Sequence, residues 1–275
     1  MSKKTVPVAL TIAGSDSGGG AGIQSDLRTY AFHCVHGTSA ITCITAQNTL
    51  GVTRVDAMPP EAVIAQIQAV VEDIGVQAAK TGMLLNQEII LAVAQQIKTL
   101  QIANLVVDPV MVSRTGAQLI DNAAIQTLRQ ELVPLAAIIT PNRYEAQIFS
   151  GLEINSLEDM QTAAKIIHEN LGAKAVLVKG GGMAGNLRGV DVWFDGEKLE
   201  TLTTKQIETK NTHGTGCTLS AAIASNLALG ENLWNATQKA KEYVTTALTY
   251  SLDIGKGQGP VGHFFPLLQK SGKTN

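Results

Sequence analysis

The chain has 275 residues, of which 45% are hydrophobic and 16% charged, a composition that excludes disorder and suits one compact α/β domain over residues 1–275. With a formal net charge of −2, no basic run and no long apolar stretch, the sequence gives no indication of a nucleic-acid or membrane partner. The three cysteines are too few for a disulfide framework, so we expect a cytoplasmic protein.

Apolar strand-like runs alternate with helix-like stretches along the whole sequence. The predicted strands are, in chain order, 8–13, 39–45, 76–80, 105–107, 138–140, 175–178, and the hairpin pair 190–194 and 198–202. The predicted helices are 22–34, 59–73, one after Asn86, one after Ser156, 217–229 and 233–252. This alternation predicts a mostly parallel central sheet with helices on both faces.

Polar and glycine residues follow most of the predicted strands. The strand ends are Gly14-Ser15-Asp16, Gln47-Asn48, Thr81-Gly82-Met83, Asp108-Pro109, Pro141-Asn142 and Lys179-Gly180. Because ligands of open α/β sheets bind beyond the carboxyl ends of the strands, we expect these residues to surround a ligand.

The segment 212–217, of sequence THGTGC, immediately precedes an apolar helix. Its glycines, Gly214 and Gly216, let backbone N–H groups approach an anion, and the helix N-terminus adds unpaired donors, so the segment predicts a phosphate site. A plain glycine turn is the alternative. Cys217 lies in the first helical turn, where the pKa of a thiol falls, so we expect a thiolate that accepts a proton rather than an inert buried cysteine.

Three other segments carry candidate ligands. The segment 15–22 has more glycines than a β–α turn requires, and Asp26 follows one turn into the next helix. Asn142 and Glu145 share the first turn of a helix, where oxygen ligands suit Mg²⁺; a helix-capping pair is the alternative. Lys179, before three glycines, either points at phosphates or is a solvated lysine at a strand end.

Taken together, these stretches resemble the ribokinase-like superfamily and, within it, the hydroxymethylpyrimidine/phosphomethylpyrimidine kinases of thiamine biosynthesis. The resemblance covers residues 10–264, and its motifs are AGSDSGGGAGIQSD at 13–26, TAQNT at 45–49, KTGML at 80–84, VVDPVM at 106–111, ITPNRYEA at 139–146, VLVKGGG at 176–182, TKNTHGTGCTLSAAIA at 209–224 and GKGQGPVGHFF at 255–265. It implies a three-layer αβα fold and a homodimer. It also implies phosphorylation by ATP of 4-amino-5-hydroxymethyl-2-methylpyrimidine (here hydroxymethylpyrimidine) and then of its monophosphate.

The resemblance also assigns roles to single residues. It implies a pyrimidine pocket lined by Gly14, Asp26, Gln47, Met83 and Val110. It implies that the ATP phosphates face Lys179, Thr212, His213, Gly214, Thr215 and Gly216, with Asp108 nearby, and that Mg²⁺ is held by Asn142, Glu145 and Asp108. The wider superfamily has an aspartate base in G-x-G-D, whereas this chain has Cys217 at that position, so Cys217 is expected to take or polarise the hydroxyl proton.

Gln47 bears on the choice of substrate. Its amide both donates and accepts hydrogen bonds, and an aminopyrimidine edge presents a donor beside an acceptor. This pairing favours a pyrimidine over a sugar and over pyridoxal. A pyridoxal kinase and a non-catalytic ligand-binding relative remain alternatives; the intact loop glycines with Cys217, Lys179 and Glu145 argue against the second.

Overall fold

The computed structural model describes residues 6–111 and 120–271, which contain one nine-stranded sheet. The strands are β1 (Val8–Asp16), β2 (His36–Gln47), β3 (Val52–Ala57), β4 (Ala78–Thr81), β5 (Leu105–Val107), β6 (Ile138–Ile139), β7 (Val176–Val178), β8 (Asp191–Phe194) and β9 (Leu199–Leu202). Their spatial order is β3-β2-β1-β4-β5-β6-β7-β8-β9. The six strands from β2 to β7 in that order are parallel, and the strands at both edges pair antiparallel.

Helices cover both faces of the sheet. They are α1 (Gly22–Phe32), α2 (Pro60–Asp73), α3 (Gln87–Thr99), α4 (Asn122–Thr127), α5 (Arg143–Ser150), α6 (Leu157–Leu171), α7 (Thr215–Ala228), α8 (Leu233–Thr249) and α9 (Phe265–Lys270). Leu10 of β1 belongs to the hydrophobic cluster under α2, α3 and α6, whereas the adjacent Ala9 belongs to the cluster under α7 and α8. Successive strand residues point to opposite faces, so the predicted three-layer αβα fold is confirmed.

Local sequence explains where several helices begin and end. Ser156 accepts a hydrogen bond from the N–H of Asp159, whose side chain accepts from the N–H of Ser156, and this capping box starts the helix predicted after Ser156. The side chain of Asn86 caps α3 through the N–H of Ile89. None of these helices, within the described residues, is long and apolar enough to cross a membrane.

The strand β3 was not predicted. It pairs with the end of β2 to form a hairpin, and all six of its residues are exposed. A strand without a buried face has no apolar periodicity to reveal it, and β2 is correspondingly longer than the predicted 39–45. The prediction of a single domain over residues 1–275 stays a prediction, although the described residues share one sheet.

Candidate active site

A fully buried ion pair lies at the carboxyl edge of the sheet. Lys80 of β4 donates from Nζ to Asp26 Oδ2 on α1 at 2.8 Å, and both side chains are 0% exposed. Thr11 donates to the same oxygen at 2.6 Å, while Asp26 Oδ1 is buried without a hydrogen-bond partner among the described residues. Burial raises the pKa of Asp26, although the charge of Lys80 acts in the opposite direction. For Lys80, burial would lower the pKa, but the charge of Asp26 outweighs it and the pKa is raised. An unpartnered buried acceptor at a predicted pocket residue fits a donor group of a ligand.

Lys80 received no role from the sequence. It belongs to the KTGML motif, and the signal that could have found it is a lysine inside an otherwise apolar strand, Ala78-Ala79-Lys80-Thr81. A strand covered on both faces can hold a lysine only beside a counter-charge, because an isolated buried ammonium costs several kcal/mol.

Asp16 organises the glycine-rich segment 15–22. Its Oδ1 accepts from the N–H of Gly18 at 2.8 Å, and its Oδ2 accepts from the N–H groups of Gly20 and Ala21 at 3.0 and 2.8 Å. Burial of the carboxyl works against ionisation, but these bonds and one from His213 lower the pKa of Asp16. The segment is therefore wound around a carboxylate before α1 begins.

Gly14 and Met83, two of the predicted pyrimidine ligands, lie together. A β-carbon at Gly14 would come within 3.1 Å of Met83 Cε and 2.6 Å of Cys43 Sγ. The third, Asp26, is the buried carboxylate described above. The backbone N–H of Val110 donates to the Asp108 carbonyl at 2.9 Å, which places Val110 directly after β5. Their roles as pocket residues stay predictions.

Gln47 and His213 are neighbours, although the sequence analysis assigned them to different ligands. His213 Nε2 lies 3.0 Å from Asp16 Oδ2 and 3.2 Å from the amide nitrogen of Gln47. The His213 ring therefore contacts the predicted pyrimidine side of the site.

The segment 257–261 contacts Thr49, which follows β2, and the backbone of His213. The N–H of Gly257 donates to Thr49 Oγ1 at 3.1 Å, and a β-carbon at Gly257 would lie 2.0 Å from the Thr49 carbonyl oxygen. The backbone of His213 donates to the Gly259 carbonyl at 3.1 Å and accepts from the N–H of Val261 at 3.2 Å. This segment joins the end of β2 to the segment before α7.

Lys179 and Asp108 form a second ion pair, beneath the segment 212–217. Lys179 Nζ lies 3.0 Å from Asp108 Oδ1, and Ser220 Oγ donates to Asp108 Oδ2 at 3.1 Å. A β-carbon at Gly216 would lie 3.4 Å from Lys179 Nζ. Burial disfavours both charges, yet Lys179 lowers the pKa of Asp108 and Asp108 raises the pKa of Lys179. The alternative of a solvated lysine is wrong, since the side chain is 12% exposed.

Gly214 allows the predicted phosphate segment to pack against the first glycine-rich segment. It is the N-cap of α7 with φ +80°, and a β-carbon there would lie 1.8 Å from the carbonyl oxygen of Gly20. The helix begins at Thr215, whose hydroxyl donates to the Thr212 carbonyl at 2.7 Å, so it starts two residues before the predicted Cys217. The first-turn N–H groups have no intrahelical acceptors and suit an anion.

Cys217 lies in the first turn of α7 but does not have the expected low pKa. Burial raises the pKa of its thiol, and the carboxylates of Asp26 and Asp108 add to this, while Lys80 and the N–H of Gly22 act in the opposite direction. The prediction of a lowered pKa at the helix N-terminus is therefore wrong for the free site, because desolvation outweighs that effect. Its catalytic role stays a prediction.

Asn142 and Glu145 form the capping box that was the alternative to a metal site. Asn142 Oδ1 accepts from the N–H of Glu145 at 3.1 Å, and Glu145 Oε2 accepts from the N–H of Asn142 at 2.8 Å. Burial raises the pKa of Glu145 to about 8, with Lys179 opposing this and Asp108 adding to it. Over 6–111 and 120–271, no three His, Cys, Asp or Glu side chains form a group that could hold a metal ion.

Comparisons with known proteins agree with this arrangement. The family profile described as phosphomethylpyrimidine kinase matches residues 16–262. A hydroxymethylpyrimidine/phosphomethylpyrimidine kinase of Synechococcus elongatus is 62% identical over 95% of this chain and 99% of that protein.

Solved structures of pyridoxal kinases are also similar. The ADP complex of the Bacillus subtilis pyridoxal kinase is 42% identical, with a TM-score of 0.90 over 96% of this chain and 99% of that one. The Staphylococcus aureus pyridoxal kinase with AMP-PCP and pyridoxal is 34% identical, with a TM-score of 0.86 over 94% of this chain and 93% of that one. The predicted ribokinase-like fold and kinase activity are confirmed, and the chain belongs to the phosphomethylpyrimidine kinase family.

Proposed function

We propose that this kinase transfers the γ-phosphoryl group of ATP to the hydroxyl of hydroxymethylpyrimidine and then to the phosphate of the resulting monophosphate. The observation that carries the proposal is the position of the glycines before Cys217: a β-carbon at Gly214 would lie 1.8 Å from the Gly20 carbonyl oxygen, and one at Gly216 would lie 3.4 Å from Lys179 Nζ. The segment 15–22, which contains Gly20, leads into α1 with the predicted pyrimidine ligand Asp26, the partner of Lys80, whereas Lys179 pairs with Asp108, which is predicted to lie near the phosphates. A hydroxyl beside Cys217 would thus face the γ-phosphate.

Positioning and charge neutralisation account for most of the chemistry. Lys179 and the N–H groups of the first turn of α7 neutralise the phosphate charge that develops during transfer. The Cys217 thiol is protonated at neutral pH in the free site, so it acts as a base only after bound ligands change the surrounding charge. Otherwise it polarises the hydroxyl, whose proton passes to a phosphate oxygen, because loose phosphoryl-transfer transition states need little base help.

Mg²⁺ fits this site as a companion of ATP. Mg²⁺ usually keeps several waters and binds one or two carboxylates together with substrate phosphates, and it neutralises phosphate charge. The two candidate carboxylates are Asp108, beside Lys179, and Glu145, which has to lose its proton first. Asn142 keeps its side chain in the helix cap and contributes by holding Glu145.

A coupled ADP-release assay tests the proposal. It compares hydroxymethylpyrimidine, its monophosphate, pyridoxal and ribose at equal ATP and Mg²⁺. Pyridoxal is included because the similar structures are named pyridoxal kinases. We expect turnover of the first two; robust ADP release with pyridoxal alone would show that the pyrimidine assignment is wrong.

Gln47→Met sharpens this test. The substitution removes the amide and leaves the polar edge of the pyrimidine unsatisfied, which costs on the order of 1–3 kcal/mol. The kcat/KM for the pyrimidine should fall while that for pyridoxal changes little. Equal losses for both substrates would count against selection by Gln47.

We also propose a homodimer, as the resemblance implies, in the cytoplasm. Four large apolar side chains of the β2–β3 hairpin are exposed, namely Ile44, Leu50, Val52 and Val55. Exposed apolar side chains on an edge hairpin favour contact with a second chain. Light scattering at micromolar protein should give twice the chain mass, and Val52→Lys should shift it towards the monomer.

A further inference from the structure

The ring of His213 occupies a fixed place between two segments of the site. A β-carbon at Gly20 would lie 2.2 Å from His213 Cδ2, so the ring lies directly against that glycine. Its backbone is held by Gly259 and Val261, as described above. The ring can therefore act on its neighbours Asp16 and Gln47 without moving.

The proton on His213 Nε2 is required by Asp16. Asp16 Oδ2 already accepts two backbone N–H groups, those of Gly20 and Ala21, and the hydrogen bonds around the carboxyl keep it ionised. Since a carboxylate only accepts, His213 Nε2 has to donate to it across their 3.0 Å contact. A nitrogen that donates to Asp16 has no lone pair for the amide nitrogen of Gln47, which lies 3.2 Å away.

The other end of the Gln47 amide meets a matching constraint. The Thr45 hydroxyl donates its hydrogen to the Ser15 carbonyl at 2.8 Å. Its oxygen therefore presents only lone pairs to Gln47 Oε1, 3.3 Å away, so that two acceptors face each other. Both mismatches disappear when the amide turns by 180° about its last bond. Its oxygen then shares the single Nε2–H of His213 with Asp16 Oδ2 in a bifurcated hydrogen bond, and its nitrogen donates to Thr45.

We propose that His213 is a positioning residue for substrate selection, which holds the Gln47 amide with its oxygen towards the ring and its nitrogen towards Thr45. The second lone pair and the second N–H of the amide are then offered to a ligand in one fixed order. An aminopyrimidine edge that presents its donor and acceptor in the complementary order is bound, and a ring without that edge leaves the amide unsatisfied. His213 thereby serves the pyrimidine rather than the ATP phosphates; this inference rests on the proposed role of Gln47.

Two matched substitutions test it. The side-chain nitrogen of glutamine reaches about as far from the backbone as histidine Nε2, whereas that of asparagine reaches only as far as Nδ1. His213→Gln should therefore keep the donor to Asp16, and His213→Asn should lose it. Calorimetry with hydroxymethylpyrimidine in the absence of ATP should show binding weakened about three- to tenfold in His213→Asn and little changed in His213→Gln. The KM for ATP should be unchanged in both.

A double-mutant cycle locates the effect. In the Gln47→Met background, His213→Asn should cause no additional loss of pyrimidine affinity, because the amide that it orients is absent. Thr45→Val removes the other constraint, should weaken binding in the same direction, and covers the case in which His213→Asn does not fold.

Three results would overturn the inference. A raised KM for ATP with unchanged pyrimidine affinity in His213→Asn would place the ring on the nucleotide side. Independent, additive losses in the cycle would show that His213 acts without Gln47. Unchanged pyrimidine affinity in Gln47→Met would refute the proposed role of Gln47 and the inference with it. Failure of the proposed reaction would instead appear in the ADP-release assay, whatever the binding results.

Discussion

Two of the lysine–aspartate pairs at the carboxyl edge of the sheet, Lys80–Asp26 and Lys179–Asp108, have the same chemistry and different access. Lys80 and Asp26 are both 0% exposed, whereas Lys179 and Asp108 are 12% and 4% exposed. The first pair links β4 to α1 within the protein. The second lies beneath Gly216, where the missing β-carbon would lie 3.4 Å from the ammonium nitrogen.

This difference in exposure distinguishes the charge of Lys80, which is enclosed, from the charge of Lys179, which a ligand can reach. A fully enclosed ammonium keeps Asp26 as its counter-ion and provides a constant field to its surroundings. An ammonium that is partly open can add a phosphate to its contacts, with Asp108 holding it in place until the phosphate arrives. We therefore expect ion pairs of the same kind to serve structure on the β4 side and ligand binding on the β7 side.

Cys217 interacts electrostatically with both pairs, and its removal should have the largest effect. General-base help is typically worth about 10²–10⁴-fold, so Cys217→Ala should reduce kcat within that range and leave the KM for ATP near its starting value. Cys217→Asp should recover part of the rate. A folded alanine variant with full activity would show that the thiol only packs. Because burial raises the pKa of Cys217, iodoacetamide should modify the exposed Cys34 first in the free protein.

Breaking the enclosed pair should affect stability before chemistry. Lys80→Met leaves the Asp26 carboxylate buried and unpaired, which should lower the free energy of unfolding in urea by about 3–5 kcal/mol. The double variant Lys80→Met/Asp26→Asn removes both charges and should recover most of that loss. As a control, Arg54→Met breaks the exposed Arg54–Asp56 pair and should leave the urea midpoint nearly unchanged. An equally small effect of Lys80→Met would contradict the structural role.

Breaking the accessible pair should affect chemistry before stability. Lys179→Ala removes the positive charge next to the transferred phosphoryl group, a loss of about 10²–10³-fold in kcat/KM for ATP. The affinity for the pyrimidine, measured by calorimetry, should stay the same. Unchanged kcat together with unchanged KM for ATP would mean that Lys179 serves only to pair Asp108.

The last expected effect is a pH dependence from Glu145, which is 2% exposed and interacts with the charges of Lys179 and Asp108. Burial raises its pKa from an ordinary 4.5 to about 8, so on unfolding the carboxyl loses its proton over that interval. The free energy of unfolding should therefore fall, relative to Glu145→Gln, as the pH rises from about 4.5 to about 8. Stabilisation by ATP with Mg²⁺ should increase over the same interval, since a metal binds the carboxylate. Parallel curves for the two proteins would contradict the raised pKa.

Much of this site could be predicted from local sequence because local sequence causes it. Short-range rules of backbone geometry explain the glycine-rich strand ends, the capping box of Ser156 and Asp159, and Gly214 before α7. Those rules place Lys179, Asp108 and Gly216 at one edge of the sheet without reference to distant residues. The resemblance supplied the roles, which geometry alone does not.

The remainder depends on contacts between distant residues. The burial of Lys80 depends on its ion pair with Asp26, which lies on another element. The pKa of Cys217 depends on its burial and on carboxylates from other elements. Neither the identity of a residue nor its spacing in the sequence shows how far the fold shields it from water. The direction of the pKa shift of Cys217 was therefore predicted wrongly. The strand β3 is exposed on both faces and has no apolar periodicity to detect.

The contacts of the segment 257–261 also determine when the site can exist. Thr49 and Gly257 are 208 residues apart, and the backbone of His213 makes its hydrogen bonds to Gly259 and Val261. Contacts of such long sequence separation form late, because closing a long chain segment costs entropy before any contact is gained. A chain still emerging from the ribosome can therefore build most of the sheet while its phosphate segment is unsupported. The catalyst is completed only after the segment 257–261 has been synthesised.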